Sequence, residues 1–124
     1  MDKDLRLKIE DLKRALQKLD DGLKIAEDEL DFDGVIQRFE ISFELMWKVL
    51  QKYARYEGLE VRSPREAFRV GGELDLIDDV EEWLGFLYQR NLTTHVYDEK
   101  MAKDILSKLP AFLEEARKVV EKLG

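Results

Sequence analysis

The sequence contains no cysteine and only one histidine, His95. The missing cysteine excludes disulfides, thiolate metal ligands and cysteine nucleophiles. With one histidine, a zinc site within a single chain would need mostly carboxylate ligands, so we expect no bound metal and no cofactor. His95 is the side chain best suited to exchange protons near neutral pH. Acid–base chemistry in this protein would therefore centre on the region around His95.

Long apolar runs are also missing, because no stretch approaches the roughly 20 residues needed to span a bilayer. The N-terminus, Met1 to Asp4, is charged and leads directly into a periodic segment. Neither a secretory signal nor a transit peptide is recognisable in such a start. We therefore expect a cytoplasmic protein without a membrane-spanning segment.

The sequence has fewer basic than acidic residues. It contains 21 lysine and arginine residues and 28 aspartate and glutamate residues, which give a net charge of −7. Phosphate repulsion would oppose nonspecific binding of nucleic acid over most of the surface. A contact with RNA must therefore be local, and the cluster of Arg62, Arg65 and Arg69 could supply one. A solvated helix face explains the same cluster equally well.

Apolar residues recur every three or four positions through most of the chain, which is typical of amphipathic helices. The first such stripe runs from Leu5 to Leu30 and predicts one long helix. Turn-forming residues at 31–34 then interrupt the pattern, and Asp33 is the predicted N-cap of a second helix. That helix should end near residue 57, with Gly58 at its C-terminal cap.

A capping box predicts a short third helix. Ser63 is followed by Pro64 at the first helical position and by Glu66 three residues later, the arrangement that satisfies the free N–H groups of a helix start. Two consecutive glycines, Gly71 and Gly72, should end or bend this helix.

Two further helices complete the pattern. The fourth carries an apolar stripe from Val80 and reaches Arg90 near its end, and the fifth begins near Asp98 and Glu99. Pro110 lies inside the fifth stripe, where a proline removes a backbone hydrogen bond, so we expect a kink rather than two unrelated helices.

No strand pattern or repeat is evident, so the predicted fold is all-α. The expected architecture is an antiparallel up-and-down helical bundle of four main helices and one short helix. A chain of this length is sufficient for one core, which predicts a single domain over residues 1–124.

The segment at the end of the fourth apolar stripe contains the side chains best suited to catalysis. Arg90 is a permanent cation suited to phosphate oxygens, and His95 follows it by five residues. Asn91 lies four residues before His95, so on a helix its amide would orient the imidazole and both would face a core or an interface. Arg90 and His95 would stand about 140 degrees apart on an ideal helix. Either the helix is distorted after Arg90, or two copies of the motif meet across a two-fold axis.

Such a cleft could cleave RNA without a metal ion. His95 would remove the 2′-hydroxyl proton or protonate the leaving oxygen, while Arg90 stabilises charge on the phosphate. A hydrogen-bonded histidine at an interface is an equally good explanation of this spacing taken alone.

Three separated motifs, in order, give the chain a resemblance to a known family. They are residues 36–48 (IQRFEISFELMWK), residues 63–69 (SPREAFR) and residues 90–99 (RNLTTHVYDE). Together they resemble the HepT-like branch of the HEPN superfamily, whose members are also called nucleotidyltransferase substrate-binding proteins. The resemblance covers roughly residues 5 to 122, which is nearly the whole chain.

The resemblance implies a homodimeric HEPN-like bundle that acts as the RNase toxin of a toxin-antitoxin pair. Its catalytic Arg and His map to Arg90 and His95, and the polar residue after the arginine maps to Asn91. The partner is an MntA-like minimal nucleotidyltransferase that transfers AMP from ATP to a tyrosine hydroxyl and silences the RNase. That tyrosine maps to Tyr97, and a bulky anion there would repel an incoming phosphate.

Alternatives stay open at this point. The chain could be a noncatalytic subunit that presents a nucleotide or substrate to a transferase, using the same cleft for recognition alone. It could also be a helical scaffold whose polar cluster fixes the dimer register. Arg65 and Arg69 are candidate substrate-binding residues, and Tyr97 could simply pack at a helix junction.

Overall fold

A computed structural model describes residues 1–124, which form helices and no strands. The all-α helical bundle predicted from the sequence is confirmed. The helices are α1 (Lys3–Ile25), α2 (Glu29–Tyr56), α3 (Pro64–Glu73), α4 (Val80–Leu92), α5 (Glu99–Leu106) and α6 (Leu109–Leu123), with a 3₁₀ turn at Thr93–His95. None of the helices has both the length and the apolar character needed to cross a membrane.

The central helix of the bundle is α2, which packs against α1, α3, α4 and α5, while α6 packs against α1. Thirty buried residues of the helices and of the links between them form one apolar cluster. Its middle is aromatic, because the ring of Phe112 lies 5.0 Å from that of Phe39, 5.4 Å from that of Phe86 and 5.8 Å from that of Trp83. All three pairs meet edge to face, the arrangement that aromatic quadrupoles favour.

The break between the first two helices lies earlier than predicted. Asp28 is the N-cap of α2, and its carboxylate accepts a hydrogen bond of 2.9 Å from the backbone N–H of Asp31. Asp33, the predicted cap, lies inside α2, and Leu30 is 80% exposed instead of belonging to the apolar face of α1. Asp28 already accepts a hydrogen bond from a free N–H group at the start of α2. The turn-forming residues that follow it therefore adopt a helical conformation despite their local preference for turns.

The predicted end of α2 and the predicted start of α3 are confirmed. Gly58 has a φ of 81°, and the N–H of Leu59 donates to the carbonyl of Ala54 at 2.8 Å, which closes α2 with a Schellman motif. At the start of α3 the Ser63 hydroxyl accepts from the N–H of Glu66 at 3.2 Å. The Glu66 carboxylate reaches back to the N–H of Arg62 rather than to that of the cap itself.

The two glycines of α3 do not end it at their own position, since the helix continues to Glu73. They allow close packing instead. A Cβ atom on Gly72 would lie 2.6 Å from Val80 Cγ2, and one on Gly71 would lie 2.9 Å from Ile77 Cδ1. The absent side chains therefore let the start of α4 approach the last turn of α3.

We expect Gly72→Ala to destabilise the protein by about 1–3 kcal/mol, because Val80 is β-branched and cannot easily move aside. Gly85→Ala is the matched control, since a Cβ there meets nothing within 4 Å in the middle of α4. It should stabilise by up to about 1 kcal/mol through helix propensity. Urea unfolding of both variants measures the difference, and equal effects would contradict this packing role.

Pro110 divides the C-terminal segment more fully than predicted. The α5 helix ends at Leu106, and α6 begins at Leu109 with Pro110 in its first turn. The two linking residues, Ser107 and Lys108, keep right-handed helical backbone angles. The expected kinked helix is therefore two helices, because proline interrupts the hydrogen-bond ladder while the helical backbone conformation continues through the link.

Candidate functional site

The polar motif lies where α4 changes into a 3₁₀ turn. Arg90 is in the last turn of α4, which ends two residues later, and His95 is the last residue of the turn Thr93–His95. The backbone then becomes extended at Val96. The helix is therefore distorted after Arg90, which is the first of the two arrangements expected from the sequence.

Arg90 is held by a carboxylate from another helix. Its Nη1 lies 3.3 Å from Oε2 of Glu40 on α2 and donates to the hydroxyl of Thr93 at 3.1 Å. The Arg90 side chain is 25% exposed and that of Glu40 is 32% exposed. The guanidinium is therefore partly withdrawn from solvent while one side of the group stays accessible.

Thr93 joins these two groups. Its Oγ1 lies 2.9 Å from Glu40 Oε2 and 2.7 Å from the carbonyl oxygen of Arg90, so its single proton has an acceptor on either side. Thr93 is both the C-cap of α4 and the first residue of the 3₁₀ turn. The hydroxyl therefore links the arginine, the carboxylate of α2 and the turn that carries His95.

The Nε atom of Arg90 is buried and has no hydrogen-bond partner. A buried donor without a partner costs free energy, so its burial must be held in place by the other contacts of the side chain. Those contacts are the ones that Nη1 makes with Glu40 and Thr93.

His95 and Tyr97 form a pair on the surface. The ring nitrogen Nδ1 of His95 lies 3.2 Å from the phenolic oxygen of Tyr97. Tyr97 is 78% exposed, and His95 is exposed as well. A hydrogen bond between these atoms fixes one ring nitrogen and leaves Nε2 of His95 directed away from the phenol.

The predicted contact between Asn91 and His95 is not formed. Because α4 ends at Leu92, the two residues do not share a helix face, and the partner of His95 is Tyr97 instead. Both Asn91 and His95 are exposed in the single chain, so neither faces its core. No hydrogen bond joins Arg90 to His95 within the chain either.

Arg65 and Arg69 lie on α3, exposed, and neither forms an ion pair in this chain. Arg62, the third member of the predicted cluster, pairs with Glu60 at 3.3 Å. The two unpaired cations are thus free to meet an anion, although the contacts of the chain do not join them to Arg90.

A shallow groove of about 440 Å³ adjoins Arg90. It is lined by Gln37, Glu40, Ile41, Glu44, Leu45 and Arg90. Ile41 is 51% exposed in it. The structure brings no group of three or more histidine, aspartate or glutamate side chains together in a way that could hold a metal ion.

Glu40 and Thr93 were not singled out from the sequence. Both stand in the motifs that carry the family resemblance, but no local pattern connects residues that are 53 positions apart. A carboxylate placed on the mostly apolar α2, one residue after the buried Phe39, was the available signal.

The fold and the site define an all-α bundle protein that presents an arginine, a histidine and a tyrosine at one helix end. A family model described as "Nucleotidyltransferase substrate binding protein like" matches residues 7–124. The chain belongs to this family, and its predicted resemblance to HepT-like proteins is confirmed.

Individual relatives agree with this assignment. The chain is 30% identical over 99 residues to "Probable ribonuclease HepT" of Haemophilus influenzae, in an alignment that covers 73% of this chain and 65% of that protein. A crystal structure of a protein from Thermus thermophilus matches with a TM-score of 0.82 and 38% identity, covering 90% of this chain and 98% of the other.

The fold is also that of HI0074 from Haemophilus influenzae, with a TM-score of 0.73, 21% identity and 96% of each chain covered. That structure is described as revealing "the fold of a substrate binding domain of a nucleotidyltransferase".

Proposed function

We propose that the protein is a metal-independent endoribonuclease of the HepT type, the toxin of a toxin-antitoxin pair. The observation that carries the proposal is the exposed His95, paired with Tyr97 at 3.2 Å, one 3₁₀ turn after an anchored Arg90. An exposed imidazole and an anchored guanidinium, carried within one helix end, are the two groups that phosphodiester cleavage by an internal hydroxyl requires.

In this mechanism the 2′-hydroxyl of RNA attacks the adjacent phosphorus. An imidazole removes its proton as the bond to the 5′-oxygen breaks, and a protonated imidazole supplies a proton to that leaving oxygen. Arg90 stabilises the extra negative charge on the phosphorane oxygens. Asn91, exposed beside Arg90, is the polar residue that would contact the same phosphate.

We propose that two copies of the chain form the working cleft. Attack and departure need a base and an acid, and one chain supplies a single histidine. The exposed Ile41 and its neighbour Leu45, beside Arg90 in the groove, offer an apolar surface on which a second copy would bring its own motif to the first. Arg65 and Arg69 would contact RNA phosphates outside the cleft.

The proposed partner is an MntA-like minimal nucleotidyltransferase that adenylylates Tyr97. The phenolic oxygen would attack the α-phosphorus of ATP, forming a phosphodiester and releasing pyrophosphate. The Tyr97 side chain is 78% exposed, so a second protein can reach it without unfolding this one. The added phosphate would stand beside His95 and repel an RNA phosphate.

A second candidate function is a noncatalytic subunit that binds a nucleotide or substrate for a transferase. The description of the family as substrate binding favours it. In that case the groove and the exposed cations would recognise a ligand that the partner modifies, and no bond of RNA would be cut.

One assay separates the two functions. Unmodified protein, purified without a transferase, is incubated with RNA in EDTA. Cleavage supports the ribonuclease, because no metal is available to catalyse it. Binding of ATP or RNA without cleavage by the same preparation would favour the substrate-binding subunit.

The modification site has its own test. When the protein is incubated with its partner transferase and ATP, we expect its mass to rise by one or more AMP units and any RNA cleavage to stop. Tyr97→Phe removes the accepting oxygen and should keep its original mass. Tyr88→Phe is the control, because Tyr88 is also exposed, at 62%, but lies within α4. Modification of the Tyr97→Phe variant would show that AMP is attached elsewhere.

A further inference from the structure

We propose that Glu40 and Thr93 are positioning residues for Arg90, which they hold in the orientation that RNA cleavage requires. This inference rests on the proposed function and adds two residues to it. Neither residue would touch the substrate, and both would act through the guanidinium.

The contacts leave the guanidinium little freedom. Nη1 is held between the carboxylate of Glu40 at 3.3 Å and the hydroxyl of Thr93 at 3.1 Å, while Nε is buried on the protein side. Because Nη1 is bonded to Glu40 and Thr93 and Nε is buried, Nη2 is the nitrogen left to meet a phosphate oxygen. A guanidinium is planar, so fixing two of its nitrogens fixes the direction of the third.

The buried Nε without a partner is the observation that indicates a role for this geometry beyond stability. A long arginine side chain at a helix end could extend into water and satisfy all its donors there. Here it is drawn back, at the cost of one buried donor, by a charge on α2. A buried donor without a partner requires an explanation, and a side chain held in place for a catalytic role supplies one.

Thr93 adds the connection to the histidine. Its hydroxyl contacts both Arg90 and Glu40, and its backbone begins the 3₁₀ turn that ends at His95. A change in the position of Arg90 would therefore also shift the 3₁₀ turn that carries His95. The ion pair across α2 and α4 would in this way set the spacing of the two catalytic side chains.

The test begins with the arginine itself. In the unchanged protein the Nε–H of Arg90 should give a slowly exchanging side-chain NMR signal because that atom is buried, and Arg90→Lys identifies the signal by removing it. We expect Glu40→Ala and Thr93→Val to speed its exchange with water. Glu44→Ala is the matched control, because that carboxylate lies one turn away in the same groove and bonds Trp47 instead.

The second measurement is RNA cleavage by the same proteins. Misplacing a catalytic group by a fraction of an ångström lowers kcat, so we expect a roughly ten- to hundredfold loss in Glu40→Ala and Thr93→Val with KM little changed. Thr93→Ser restores the hydroxyl and should recover most of the rate. Thr94→Val should leave the rate unchanged, since the Thr94 hydroxyl bonds only the carbonyl of Asn91.

Two results would overturn the inference. An unaltered Arg90 signal in Glu40→Ala would show that the carboxylate does not hold the guanidinium. Faster cleavage by Glu40→Ala would show that Glu40 competes with the phosphate for the guanidinium of Arg90 instead of orienting that guanidinium. If the unchanged protein does not cleave RNA in EDTA, the ribonuclease proposal fails separately, and the NMR exchange rates alone decide whether the carboxylate and hydroxyl fix Arg90.

Discussion

Replacement of His95 with alanine is expected to lower RNA cleavage in EDTA by about 10²–10⁴-fold, because a positioned acid or base contributes on that order. The side chain is exposed and its hydrogen-bond partner is the exposed Tyr97, so its loss should leave the fold intact. The effect should fall on kcat more than on RNA binding, since proton transfer occurs in the transition state.

The measurement is a time course of cleavage with unmodified protein, accompanied by a thermal melt. Thr94→Ala, one residue away in the same turn and also exposed, is the control and should keep both activity and melting temperature. A His95→Ala variant that cleaves RNA normally would exclude this residue from the chemistry. A variant that loses only dimer affinity would support the scaffold explanation of the polar cluster.

Phe112→Ala should have the largest effect on stability, a loss of about 3–5 kcal/mol. Phe112 is fully buried and contacts rings from α2 and α4, so alanine would leave a cavity between three helices. The rings around it are themselves held by neighbours, which limits how far they can move into the space.

Urea denaturation with an unchanged m-value would measure this loss directly. Phe112→Leu, which keeps most of the volume, should cost clearly less. Tyr88→Ala is the surface control and should stay within about 0.5 kcal/mol of the unchanged protein. A Phe112→Ala variant as stable as the Leu variant would mean that the core refills the cavity.

The features that local sequence decides were predicted well. Ser63 at a helix start and Gly58 at a helix end each act through atoms a few residues away, so their neighbours in sequence were sufficient. The helix break was misplaced because Asp28 and Asp33 both qualify as caps. The choice between them depends on how α1 and α2 pack, and local pattern does not contain that information.

The candidate site likewise contains residues that the sequence predicts and contacts that it does not. Arg90, His95 and Tyr97 lie within eight consecutive residues and could be found by their chemistry and family resemblance. The contact of Glu40 with Arg90 joins two helices far apart in the sequence, and the partner of His95 depends on where α4 ends. Asn91 was expected to orient the imidazole because the helix was assumed to continue through residue 95.

If Tyr97 carries a nucleotide as proposed, the short connection between the 3₁₀ turn and α5 would limit how far that nucleotide can move. Only Val96, Tyr97 and Asp98 lie between the two helical elements, and both ends of this segment are anchored. At roughly 3.3–3.6 Å per residue the segment spans at most about 11 Å, so an AMP attached there would stay near the imidazole. Its effective concentration there would reach at least the millimolar range of short tethers, so one covalent event would outcompete free RNA without any tight-binding inhibitor surface.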